Sequence, residues 1–227
     1  MKSILLLVIG LLFLSSCATS PVYVPVHDRF GILKIDIPSD YFDDTKSYLN
    51  DIETVRVARG KPADPAIKSL LMIRRNDGNA NCKFRELRYF PNEDGYRWEP
   101  ERLANEVSTA FNNMFVNYEM VDYLKLGIAA PIGKKNSTKT ERISSSPVTV
   151  NSYTGWQTTY SHKTYPLTGF KTPIVLTKTV VIKRPIPESP SAPKFYIVVE
   201  CGASGADGNA LVSIGKITEL LNSMQFL

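Results

Sequence analysis

The run Lys194-Phe195-Tyr196-Ile197-Val198-Val199-Glu200-Cys201 is dense in β-branched and aromatic residues, and a different rhythm soon follows it. Ile214, Ile217, Leu220, Leu221 and Met224 fall at helical spacing. A period of two buries alternate residues of a strand, whereas a period near 3.6 buries one stripe of a helix. The two patterns together read as a strand, a loop over residues 202–209, and a closing helix. That succession points to a sheet with a helix laid on it.

Working backwards, residues 147–153, 155–162 and 176–183 are rich in Val, Ile, Thr and aromatic side chains and are separated by turn signals, so they read as an antiparallel meander. The Pro-rich link 184–193 reads as an extended connection. Residues 133–146 are polar, hold Lys134 and Lys135, and read as a mobile loop. Earlier still, Leu103, Val107, Ala110, Phe111, Met114, Phe115 and Tyr118 share one face, with Pro100 in the first turn, which predicts the central amphipathic helix. Strands are predicted at 30–37, stopped by Pro38, and at 54–58, 70–74 and 83–90. The Asp-rich stretch 39–53 offers no clear periodicity. The sum is an α+β domain, a largely antiparallel sheet covered by helices.

With 27 basic and 22 acidic residues in 227, the net charge is +5, spread along the chain without a dense block. Such a balance suits a solvated surface and argues against nucleic-acid binding. No internal repeat is visible.

The first residues decide the address. Lys2 precedes an apolar stretch from Ile4 to Leu14, about half the length an α-helix needs to cross a bilayer. It ends in Leu14-Ser15-Ser16-Cys17, which resembles the bacterial lipobox: an aliphatic residue, two small ones and the cysteine to be lipidated. The resemblance implies cleavage before Cys17, a diacylglycerol thioether on that residue, and acylation of the new terminus with a fatty acid such as palmitate. Residues 1–16 would then be a signal peptide, 17–29 a lipid-anchored tether with Pro21 and Pro25, and 30–227 a single domain. Ala18, where retained inner-membrane lipoproteins of enteric type carry Asp, implies outer-membrane sorting with the domain facing the periplasm.

A second resemblance rests on order. The opening strand Phe30-Gly31-Ile32-Leu33-Lys34-Ile35-Asp36-Ile37-Pro38, the central helix, the meander, and a last helix ending Leu221-Asn222-Ser223-Met224-Gln225-Phe226 resemble the PsbP-like fold. That fold implies an antiparallel sheet between helices, used as a non-catalytic binding or assembly module. It carries no functional residue onto this chain.

Candidate chemistry is sparse. The two histidines, His27 and His162, lack Cys, His or acidic partners at ligand spacing, so no metal site is expected. No Gly-x-Ser-x-Gly elbow surrounds any serine, and the glycine-rich stretch 202–208 lacks the spacing of a phosphate loop. Neither an enzyme nor a cofactor is expected. Cys82 and Cys201 remain as an even pair, open either to a disulfide or to two separately buried thiols. Tyr153, Trp156 and Tyr160 form an aromatic cluster, read either as core or, with Lys134 and Lys135, as a binding surface for peptidoglycan or lipopolysaccharide. Tyr153 and Trp156, three apart, lie on opposite faces of a regular strand unless Gly155 marks a bulge. The first reading is a lipid-anchored accessory protein with an envelope protein as partner.

Overall fold

The computed structural model of the chain describes residues 22–60, 62–63, 65–89, 99–108, 137–165, 174–186, 193–205 and 207–227. In chain order the elements are β1 (Tyr23–His27), β2 (Leu33–Pro38), β3 (Tyr41–Asp43), α1 (Thr45–Ala58), β4 (Ile67–Arg75) and β5 (Ala80–Tyr89). A helix over 100–108, here α2, comes next. Then follow β6 (Ser137–Val150), β7 (Tyr153–Tyr165), β8 (Ile174–Lys183), β9 (Lys194–Gly205), α3 (Asp207–Asn222) and β10 (Gln225–Phe226). Seven strands make one antiparallel sheet in the order β3-β4-β5-β9-β8-β7-β6, and β1-β2-β10 make a small second sheet.

Alternation along β9, the middle strand, sorts the interior into two compartments. Ile197, Val199, Cys201 and Ala203 join Ile214, Ile217 and Leu221 of α3 and Leu33, Ile35 and Ile37 of β2 in the larger core. Tyr196 and Val198 point the other way and pack with Leu87, Val181 and, from α2, Leu103 and Ala104. The expected α+β layering, an antiparallel sheet covered by helices, is therefore present, and the small sheet shares the first face with α3.

Several expectations need correction. The tether does not extend to residue 29: Tyr23–His27 pairs with β2 from Tyr23↔Pro38 to His27↔Lys34. Its side chains are exposed except at Val26, which hides any periodicity. Residues 54–58, read as a strand, complete α1. No residue of that helix is fully buried, so its β-branched residues carried no information about packing. Locally, the Asp43 Oδ1 atom accepts a bond from the Thr45 N–H at 2.9 Å at the helix start, and Glu53 pairs with Arg56 one turn on.

The polar stretch 137–146 is not a loop but the first part of β6, an edge strand paired with β7. Its side chains face water along much of their length, so Ser and Thr replace the apolar alternation. Residues 147–153 are split by a hairpin turn at Asn151 and Ser152, both at positive φ. Beyond Cys201, β9 continues to Gly205 where a loop was expected. For the central helix, residues 100–108 are helical, while Ala110 to Tyr118 lie outside the described residues, as do Lys134 and Lys135.

Gly155 is not a bulge. It pairs in regular register with Val148 and Ile182, and a Cβ placed on it would lie 2.2 Å from the Val181 carbonyl oxygen. Two strands meet there too closely for any side chain. Gly155→Ala should destabilise the domain by about 1–3 kcal/mol, the usual cost of overpacking, measured as a lower urea midpoint with unchanged m-value.

Candidate functional site

Cys82 and Cys201 are cross-strand partners of β5 and β9, with Cα atoms 4.1 Å apart, and are joined as a disulfide. Cys82 lies inside β5, fully buried on the α3 side. The bond closes a sequence separation of 119 residues.

The opposite face carries the larger set of polar groups. Register places Lys83, Glu200, Thr179, Thr158 and Ser145 in one row across five strands. The next rows along the strands bring Thr177 beside Tyr160, then His162 beside Thr140. Thr158, Thr177, Thr179, His162 and Glu200 are all buried. The same strands thus give an apolar floor at Val181, Val198 and Trp156 and a hydroxyl-lined floor further along.

Glu200, 4% exposed, meets Lys83 Nζ at 3.0 Å and Arg85 Nη2 at 2.5 Å. Burying a carboxylate without such partners would be costly, and two cations on the adjacent strand answer that cost. Tyr48 of α1 closes over the group; burial, with Glu200 nearby, pushes its pKa up to about 12 against the opposing pull of Arg85. Burial also lowers the Lys83 pKa, partly offset by Glu200. His162 is not at a strand end but within β7. Its Nδ1 lies 3.1 Å from the Thr140 hydroxyl and its Nε2 3.1 Å from that of Thr177. Chemically this is a polar lining in which His162 lies between two threonine hydroxyls and Glu200 between two cations.

The aromatic cluster divides. Tyr153 meets Phe226 of β10 edge-on, with centroids 4.6 Å apart, beside the larger core. Trp156 packs against the smaller core, and its indole N–H donates to Ser145 Oγ at 2.9 Å. Tyr160 shares the Trp156 face, half-buried beside Thr177. The regular pairing of β7 therefore does not bring Tyr153 and Trp156 onto one surface. Cys17 lies outside the described residues. Among those residues, no three His, Cys, Asp or Glu side chains gather as a metal site would require, and no helix is long and apolar enough to cross a membrane.

Sequence reasoning passed over Glu200 and Lys178, although each is a charge inside an otherwise apolar strand. Lys178, 7% exposed, projects to the α3 side, where its Nζ donates to Thr218 Oγ1 at 2.6 Å. Its strand neighbours there are Cys201 and Thr159, and burial lowers its pKa.

No protein-family model matches the chain, and no curated protein does. Among solved structures, the cyanobacterial PsbP of Synechocystis is similar at a TM-score of 0.44 and 10% identity, over 94% of this chain and 99% of that one. The Ran-binding protein Mog1p of Saccharomyces cerevisiae follows at 0.41 and 9%, over 91% and 96%. LpqN of Mycobacterium tuberculosis, involved in cell envelope biogenesis, is similar at 0.40 and 12%, over 92% of each chain.

Two measurements probe these charges. An amine harder to protonate when folded binds fewer protons in the native state between its lowered pKa and 10.5, so its contribution to stability grows as pH rises through that window and is lost as pH falls. Tyr48 acts oppositely: its raised pKa contributes below 10 and is lost as pH climbs towards about 12. Lys178→Met should raise stability at pH 7 by on the order of 1 kcal/mol and flatten the rise towards pH 10 in urea unfolding; equal destabilisation at every pH would contradict the assignment. Glu200→Gln, which removes the carboxylate between the half-buried Lys83 and Arg85, should cost about 3–5 kcal/mol by the same assay.

Proposed function

We propose that this chain is a lipid-anchored, periplasm-facing accessory or binding lipoprotein of the bacterial cell envelope, without catalysis of its own. The observation that carries the reading is Leu14-Ser15-Ser16-Cys17 at the end of a basic-then-apolar leader. Two acyl-bearing signals on one cysteine suffice for stable anchoring, since each buried methylene contributes roughly 0.8 kcal/mol. Transfer to the outer membrane is proposed on Ala18.

Two structural features support this address. A disulfide joining central strands suits an oxidising compartment outside the cytosol. The first strand begins at Tyr23, which leaves a short connection after Cys17 and keeps the domain near the bilayer.

The non-catalytic part rests on the polar lining, where His162 is held between threonine hydroxyls and Glu200 between two cations. Both faces of the central strands β8 and β9 are buried, so an envelope protein partner would be met by edges, turns and helix surfaces rather than by the middle of the sheet. The exposed Ile52, Val55 and Val57 of α1 are the natural place to look.

In a bacterial host given radiolabelled palmitate, the wild-type chain should incorporate label and float with membranes, whereas Cys17→Ser should lose all label and fail to reach mature size. Unchanged processing and membrane partition in that variant would overturn the reading. Cross-linking in intact cells should then recover a reproducible envelope protein with the wild type and lose it with Val55→Glu in α1.

A further inference from the structure

We propose that β1 and the turn after it form a docking edge by which the domain lies against the phosphate headgroups of anionic phospholipid. The proposal rests on lipidation at Cys17 and adds an orientation to it.

Chain geometry sets the first constraint. Five Cα steps separate Cys17 from Val22, and each spans at most about 3.6 Å, so Val22 lies within roughly 18 Å of the lipidated residue. The residues nearest the anchor are also apolar and open to solvent: Val22 is 65% exposed, Tyr23 46% and Val24 49%. β1 is an edge strand of the small sheet and exposed along nearly its whole length.

The far end of β1 presents a second contact. Asp28, itself buried, accepts bonds from the backbone N–H of Phe30 at 2.7 Å, Ile32 at 2.5 Å and Leu33 at 2.7 Å, while Gly31 takes a φ of +66° to close the turn. This fixes Phe30 outward at 45% exposure. Arg29 Cζ sits 4.6 Å and Lys68 Nζ 5.5 Å from its ring centroid. Behind them Glu86, fully buried, is paired with Lys68 at 3.2 Å and Arg184 at 2.7 Å. Lys68 and Arg184 therefore gather around one buried carboxylate, while Arg29 and Lys68 leave a positive rim about an exposed aromatic ring. An aromatic at the interface with Arg and Lys at phosphate level is the arrangement a membrane surface selects.

A second protein strand fits this edge less well. Pro25, in the middle of β1, has no N–H to offer a neighbouring strand. Phospholipid makes no such demand and matches both the charge and the short connection.

The test uses the full chain, lipidated in its bacterial host, with Phe30→Cys carrying an environment-sensitive fluorophore and reconstituted into vesicles. With phosphatidylglycerol in the bilayer the emission should shift to the blue and be quenched by brominated lipid, while the same label at Val212 of α3 stays in water. Each cation near an anionic surface contributes about 1 kcal/mol, or roughly fivefold, so Arg29→Ala with Lys68→Ala should lower the docked fraction ratio about 25-fold. A water-like signal from protein that co-floats with these vesicles would overturn the docking and leave the anchor standing. Failure to co-float would overturn the anchor beneath it. A blue shift without vesicles that grows with protein concentration would assign β1 to a second copy and equally overturn the proposal. Val24→Cys provides the same reading if the Phe30 variant does not fold.

Discussion

The period of two along β9 is the constraint on which the rest depends. Because β9 lies between β5 and β8, its side chains from Tyr196 to Ala203 must enter one of two covered interiors, and neither offers bulk water. Odd-numbered positions feed the apolar compartment under α3 and β2; even-numbered ones feed the compartment under α1 and α2. A slip by one residue would exchange every assignment. Glu200 would then face the α3 side, away from Lys83 and Arg85, and Cys201 would lose Cys82. The ion pairs and the disulfide are thus two independent records of one register.

The two compartments are built differently. Under α3 the packing is aliphatic, interrupted by Lys178 with a hydroxyl partner. Under α1 and α2 the aliphatic part is small, and hydroxyls, an imidazole and a charge cluster take over along the same strands. Buried polar groups need fixed partners, and networks of this kind favour one arrangement over its near alternatives.

Where side chains are buried, the fold could be read from residues alone. β2 announced itself through Leu and Ile at alternate positions, and β4, β8 and most of β9, buried on both sides, through runs of Ile, Val and Leu. The reading failed where exposure removes the pattern. β1 and β6 are edge strands, and α1 has no fully buried residue, so Ser, Thr and Asp in them resembled loops, and three β-branched residues in α1 resembled a strand. The extension of β9 through Gly202 and Gly205 hid behind glycines that usually mark turns.

The candidate site was legible only in part. Cys82 and Cys201 could be paired by counting, yet no count could give the register that sets them opposite each other. The aromatic residues were grouped by nearness in sequence, whereas a strand sends Tyr153 and Trp156 to different cores. The charge cluster needs α1, β5 and β9 at once, and only tertiary structure supplies that. The measurement that tests the account most directly is mass spectrometry of the protein extracted from its native membrane. The account predicts a mature chain beginning at Cys17 and carrying diacylglyceryl and acyl mass on that residue; a chain beginning elsewhere, or an unmodified Cys17, would contradict it.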